Sequence, residues 1–157
     1  PIKVSAQGAS YITPGQEDVV FLTLEFSNKI IAHVQMSWLD PHKIRRMTFV
    51  GSDKMAVFDD SDPVEKIRIY DKGVNHADFD SYADFVNLRQ GDIYIPYVKM
   101  QEPLKLESEH FLECVRERRR PRSCVQQGLE VVRIIEAANS SLKSGGKPRM
   151  LTPVAVS

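Results

Sequence analysis

Long hydrophobic runs are missing from this 157-residue sequence. No apolar stretch approaches the ~20 residues that cross a bilayer, so no membrane span or membrane partner is expected. A surplus of one charge is missing too: lysines and arginines number 21, aspartates and glutamates 21, and the formal net charge is zero. A general polyanion binder carries a basic excess, so no nucleic-acid partner is expected. The arginines between 116 and 122 read as the solvated end of a helix. Cysteine is scarce. Cys114 and Cys124 form no CxxC pair and are expected as reduced thiols in a cytoplasmic protein. No signal peptide is visible, and the chain starts at Pro1 rather than Met, which suits a trimmed start or a piece of something longer.

Several signatures of chemistry are also absent. There is no G-x-G-x-x-G after a strand and no G-x-x-x-x-G-K-[ST], hence no evident cradle for a dinucleotide or a nucleotide phosphate. There is no G-x-S-x-G nucleophile turn and no H-E-x-x-H. His33, His42, His76 and His110 are scattered and share no metal-ligand spacing, so no metal site is expected.

What is present begins with Asp18 to Lys43, two long strands joined at a Ser27-Asn28-Lys29 turn and ending in the corner Trp38-Leu39-Asp40-Pro41. The period of two puts Ile30, Ala32, Val34, Met36 and Trp38 on one face and Ile31, His33, Gln35 and Ser37 on the other. A strand apolar on one side and mixed on the other belongs to an open sheet, whose mixed face meets water or a partner. Strands are also expected at 2–13, 43–51, 55–60 and 65–71, with an extended segment at 92–98 that Pro96 places at an edge. Residues 72–82 read as a loop or irregular hairpin, and 83–90 as strand or helix.

The period then changes. Pro103 opens a helix carrying Leu104, Ser108, Phe111, Leu112 and Val115 as one stripe, and Pro121 ends it. Ser123, with Gln126 three residues on, reads as the cap of a second helix. There Val125, Leu129, Val132, Ile135, Ala138 and Leu142 share a side, widened by Val131 and Ile134, which predicts deep burial on the sheet. Gly145-Gly146 ends it in the left-handed conformation. A run of strands followed by two helices is the α+β pattern. The expected fold is one domain over 1–157: an open, mostly antiparallel sheet of about six or more strands, with two C-terminal helices packed on one face.

The corner from Trp38 to Arg46 gathers an aromatic plane, a carboxylate, an imidazole and three cations. Trp38 could stack on a ring, Asp40 could bind hydroxyls, and His42, Lys43 and Arg45 could meet an anionic, hydroxylated ligand. The plainer reading makes Trp38 core, Asp40-Pro41 a turn and the cations ordinary strand charges. These five are the candidate substrate-binding residues.

Corner and helices together resemble the C-terminal domain of the Gfo/Idh/MocA family of NAD(P)-dependent oxidoreductases. The residues that carry this are Glu17-Asp18-Val19, Ala32-His33-Val34, Ser37 to Pro41, Val50-Gly51-Ser52, Met55 to Asp60, Gly91-Asp92-Ile93, Glu102-Pro103-Leu104, Glu109-His110-Phe111 and Gly128 to Arg133. The resemblance implies a domain that shapes a substrate pocket and builds the subunit contact, beside a Rossmann domain that holds the cofactor. The lysine of that family's Glu-Lys-Pro motif has no counterpart here, and its histidine would fall ahead of Pro1. No catalytic and no cofactor-binding residue is therefore assigned. The expected function is the substrate-binding and oligomerisation domain of a sugar or nucleotide-sugar dehydrogenase, inactive alone. NAD or NADP would serve the intact enzyme, and a homodimer would form through the open sheet face at Ile31, His33 and Gln35. The alternative is a stand-alone, non-enzymatic binding or scaffold module.

Overall fold

The computed structural model describes residues 1–74 and 88–151. The element order is β1 (Lys3–Ala9), β2 (Val19–Glu25), β3 (Ile31–Ser37), β4 (Arg46–Val50), β5 (Met55–Asp59), β6 (Ile67–Val74), β7 (Leu88–Tyr94), α1 (Pro103–Glu117), α2 (Val125–Leu142) and β8 (Arg149–Met150). The class is α+β, and every strand pair is antiparallel. The eight strands divide into two sheets of four, ordered β3-β2-β1-β8 and β4-β5-β6-β7. The chain likewise falls into two compact units, residues 1–41 with 107–157 and residues 42–106.

In the first unit the β2–β3 hairpin closes where the Phe26 N–H donates to the Ile30 carbonyl (2.9 Å). Lys29 completes the turn in the left-handed region, at φ 65°, the conformation that ends a three-residue hairpin loop. Along β1, Val4 and Ala6 point to the covered face, opposite Leu24 and Leu22 of β2. With Ala138 they form the core, flanked by Ile134, Ala137, Leu142 and Leu151.

α2 crosses β1 and β8 on only part of the side that its pattern suggests, the part carrying Ile134, Ala138 and Leu142. Ala138 and Ser141 are buried, whereas Val125, Leu129, Val131, Val132 and Ile135 are exposed. Two physical causes favour the observed side. Small residues let the backbones approach closely: a Cβ on Gly8 would meet Leu142 Cδ2 at 3.1 Å and the Val19 carbonyl at 2.8 Å. The second cause is a polar anchor. β8 pairs only with Lys3 and Val4, and further along β1 the Ala6 N–H donates instead to Ser141 Oγ (3.0 Å). That hydroxyl in turn donates to the Lys147 carbonyl (2.8 Å). A buried donor left unpaired costs roughly 1–3 kcal/mol, so Ser141 must face the sheet and the β-branched stripe turns outward.

The start of α2 also differs by one residue from the sequence reading. Cys124, not Ser123, is the cap residue, and its N–H donates to Gln127 Oε1 (3.1 Å). Gly145 and Gly146 take the positive φ values of 68° and 86°; the Gly146 N–H returns to the Ser141 carbonyl at 2.9 Å. α1 buries only Cys114. Its expected stripe of Leu104, Phe111, Leu112 and Val115 is exposed, and α1 makes no extended contact with a strand among the described residues.

In the second unit, β4, β5 and β6 run in register as hairpin neighbours. The register of β6 with β7 shifts between Tyr70 and Lys72. Gly91 sits at this irregularity, where a Cβ would come within 2.5 Å of Asp71 Oδ2. β7 closes the edge and Pro96 lies beyond it, as its missing N–H requires. The expected loop at 72–82 and the segment 83–90 lie partly outside the described residues; within them, Lys72 to Val74 belong to β6 and Leu88 to Gln90 to β7.

Candidate functional site

The five candidate binding residues follow one another along the chain but divide between the units: Trp38 and Asp40 in the first, His42, Lys43 and Arg45 in the second. In the first, the sheet fixes Trp38 by its backbone, the Trp38 N–H donating to the Asp18 carbonyl at 2.9 Å. Its indole is 87% exposed. The plainer expectation of a core tryptophan is therefore incorrect: Trp38 lies one residue beyond the end of β3, past the part of the sheet that α2 covers. The corner after it is held by Ser37 Oγ, which accepts from the Leu39 N–H (3.0 Å). Asp40 is exposed. An exposed indole can stack on an apolar ring face, and an exposed carboxylate two residues on can accept hydrogen bonds from hydroxyls.

In the second unit, His42, Lys43 and Arg45 are all exposed. The backbone around them is fastened by Ser61 Oγ–H, which donates to the Lys43 carbonyl (3.1 Å), and by the Asp60 N–H, which donates to the Arg45 carbonyl (2.9 Å). Arg45 Nη1 stands 3.6 Å from Asp60 Oδ2, a loose, solvated pair worth little. His42 and Lys43 make no ion pair among the described residues. The Lys43 ammonium remains available to an anion, and the His42 ring to a hydrogen-bonding group.

Arg46 does not. Its Nε and Nη2 both donate to Asp59 Oδ2, at 2.9 and 2.8 Å. Asp59 is 7% exposed, and the Ser61 N–H donates to its other oxygen at 3.0 Å. The Arg46 bond first, then that of Ser61, hold the Asp59 carboxyl below the ordinary aspartate range. The turn beyond is a linked set of charges that sequence reasoning missed. Asp62 Oδ1 accepts from the Val64 and Glu65 N–H groups, and these two bonds are the main reason its carboxyl is also held low. Arg68 bridges Asp62 and Glu65. Lys66, 6% exposed, donates to the Asp60 carbonyl at 2.8 Å. The available signal was the run Asp59-Asp60-Ser61-Asp62-Pro63, whose short acidic side chains fold back onto turn amides. This set stiffens the β5–β6 turn, and its charges are already spent on one another.

A second polar group gathers at the start of α2 in the first unit. Arg120 Nη2 donates to Cys124 Sγ and to Gln126 Oε1, both at 3.0 Å. The Gln127 amide, then Arg120, lower the Cys124 thiol from its ordinary value. His110 Nε2 accepts from the Arg122 N–H (3.1 Å) and touches Cys114 Sγ at 3.5 Å. Both thiols are free. Among the described residues no group of three or more histidine, cysteine, aspartate or glutamate side chains could hold a metal, and no helix is long and apolar enough to cross a membrane.

Comparison with known proteins gives a consistent result. The family model for the C-terminal alpha/beta domain of the Gfo/Idh/MocA oxidoreductase family matches residues 3–151. No curated protein matches the sequence. Among solved structures, the chain is similar to UDP-N-acetylglucosamine 3-dehydrogenase from Acidithiobacillus ferrooxidans, with a TM-score of 0.69 and 19% identity, over 90% of this chain and 42% of that one. It is similar also to aldose-aldose oxidoreductase from Caulobacter crescentus, crystallised with glycerol: TM-score 0.69, 16% identity, 96% of this chain and 41% of that one. The chain thus spans about two-fifths of the length of these structures, and at such identities the likeness is one of fold.

Proposed function

Because the chain belongs to the Gfo/Idh/MocA oxidoreductase family, as its C-terminal alpha/beta domain, we propose that it is the substrate-binding and oligomerisation domain of an NAD(P)-dependent sugar or nucleotide-sugar dehydrogenase. The carrying observation is the family match over residues 3–151. The sugar substrates named for both solved relatives support the substrate class. On this reading the chain acts as one functional domain. In the first unit Trp38 stacks on the apolar face of a sugar ring and Asp40 accepts from its hydroxyls; in the second, taken by itself, His42, Lys43 and Arg45 are the candidates to meet an anionic group.

The cofactor does not fit this chain. A dinucleotide needs a strand, a glycine-rich turn and a helix N-terminus in succession. Among the described residues seven strands precede α1, and α2 opens on Cys124, whose surroundings hold no glycine turn. No hydride-transfer step is assigned to these residues. In the intact enzyme NAD or NADP belongs to another domain, and this chain alone performs no oxidation. The open face of the first sheet, with Phe21, Ile31, His33 and Gln35 exposed, is the proposed homodimer contact, in a cytoplasmic enzyme.

Titration with UDP-N-acetylglucosamine and with free aldoses, followed through the Trp38 indole N–H resonance, tests the binding role. A saturable shift with either ligand is expected; no shift at millimolar ligand would sink it. The same mixture with NAD should show no NADH absorbance, and turnover above background would overturn the claim of inactivity.

A further inference from the structure

We propose that residues 118–124, the connection from α1 to α2, form a pH-operated strap, closed along α1 while His110 is neutral and released when His110 takes a proton. This goes beyond the substrate reading above and does not depend on it. Every contact it uses lies inside the first unit.

The chain turns back along α1 instead of leaving it. Arg118 is left-handed, at φ 51°, and the Arg119 N–H donates to the Cys114 carbonyl (3.1 Å). This is the Schellman ending of a helix, usually built on glycine. The Arg119 guanidinium then pairs with Glu113 and Glu117. Further on, the Arg122 N–H donates to His110 Nε2 (3.1 Å), although α1 runs on to Glu117. The connection has thus returned by about two turns, roughly 10 Å along the helix axis. Cys114 lies between these anchors and is 6% exposed. α1 makes no extended contact with a strand or with α2 among the described residues, and the connection is fastened on both sides of this thiol.

The His110 bond requires one protonation state. To accept the Arg122 N–H, Nε2 must carry a lone pair, so the ring is neutral with its proton on Nδ1. Nδ1 is the nitrogen near Glu113, whose Oε2 is 4.0 Å away. The Cys114 sulfur does not compete for the lone pair. It stands 3.5 Å from Nε2 and 3.9 Å from Nδ1, and a sulfur so nearly equidistant from both nitrogens lies off the Nε2 lone-pair axis.

A second proton undoes this arrangement. The imidazolium is a donor at both nitrogens, so Nε2–H and the Arg122 N–H meet donor to donor. Glu113 favours the charged ring, and Glu107, three residues before His110 on α1, adds a second carboxylate at helical spacing. Arg119, bound to Glu113, and Arg122 oppose the charge; Cys114 contributes a thiol. Two arrangements therefore compete for one proton. In the first, Arg122 is held by neutral His110 and Glu113 by Arg119. In the second, charged His110 turns to Glu113 and Arg122 is free. Histidine changes charge between about pH 5 and 8, so the strap is closed at the upper end of that range and open at the lower. Opening uncovers Cys114 and loosens the residues that lead into the Cys124 cap of α2.

Hydrogen exchange of single amides, corrected for the intrinsic rate at each pH, tests the strap. The Arg122 amide should be protected at about pH 8 and lose protection on acidification in step with the His110 ring resonances. The loss should be about tenfold per pH unit until most rings are charged. The Ala6 amide, bound to Ser141, should stay protected throughout. In Cys124→Ser, the reaction of Cys114 with a dipyridyl disulfide, taken relative to the urea-unfolded chain at the same pH, should accelerate in parallel. His110→Gln offers a carbonyl oxygen at every pH and should keep Arg122 protected and Cys114 slow. His110→Phe has no acceptor and should leave both open at every pH. Glu113→Gln should move the transition to lower pH. Arg122 protection that persists while the His110 ring titrates overturns the strap, as does a wild-type pH profile in His110→Gln. Loss of Ala6 protection together with that of Arg122 means unfolding of the whole unit and overturns it too. If His110→Phe does not fold, His110→Gln and the wild-type exchange profile decide.

Discussion

Arg46 and Arg45 are neighbours of the same type, yet their surroundings give them different work. Arg46 is locked by two bonds onto a carboxylate that is almost entirely covered, whereas Arg45 reaches an exposed Asp60 at 3.6 Å. The pairing has a pH consequence. The Asp59 carboxyl is lowered in the folded chain, chiefly by Arg46, so protonation is harder in the folded state than in the unfolded one. Its contribution to stability is complete above the unfolded value of about 3.9 and is lost as pH falls through the folded value. Asp59→Asn should therefore flatten the decline of unfolding free energy between about pH 5 and 2, leaving the slope due to Asp62. Urea unfolding at stepped pH checks this; an unchanged slope would contradict the pairing.

Cys124 and Cys114 form a similar contrast. The Gln127 amide and Arg120 favour the Cys124 thiolate, while Cys114 is buried beside His110. The thiolate is the reactive form. Iodoacetamide should therefore label Cys124 well before Cys114, with a rate midpoint below that of an ordinary thiol. Arg120→Ala should move that midpoint upward. Peptide mapping of alkylated sites over pH 6–9 reads both effects.

At the scale of elements, α2 shows why a helix with two apolar sides is ambiguous. Its period alone puts Val125, Leu129, Val132, Ile135, Ala138 and Leu142 on one side, widened by Val131 and Ile134. Of these the sheet receives only Ile134, Ala138 and Leu142, with Ala137 beside them, because close approach over Ala6 and Gly8 needs small residues and Ser141 must reach the Ala6 amide. The two sides should respond oppositely to substitution. Ala138→Leu overfills a packed contact and should destabilise by about 1–3 kcal/mol. Val132→Lys replaces an exposed side chain and should change stability by less than about 0.5 kcal/mol. Denaturant midpoints for the two variants decide the orientation, and equal losses would refute it.

At the scale of the whole molecule, charge balance and exposed apolar surface can be set side by side. With 21 cations against 21 anions, and with Arg46, Arg68 and Arg119 engaged in ion pairs, little basic field remains for a polyanion. The chain should leave a heparin column below about 0.15 M salt, where a basic surface making several phosphate contacts would hold on. Apolar side chains, by contrast, stand exposed on both helices and on β3 and β4.

Period and punctuation alone determined much of this chain: six of the strands, Pro103 as the first residue of α1, the turn at Lys29, the glycines after α2 and the α+β class. These features are local, set by alternation, by backbone freedom or by a missing N–H within a few residues. What tertiary structure alone decided was non-local. The division into two sheets, the side of α2 that meets β1, the exposure of Trp38 and the capture of Arg46 by Asp59 each depend on which distant groups arrive opposite. A one-dimensional pattern records that a side chain is apolar or charged, but the partner that buries or pairs it is chosen by close packing and by the need to satisfy backbone amides such as that of Ala6.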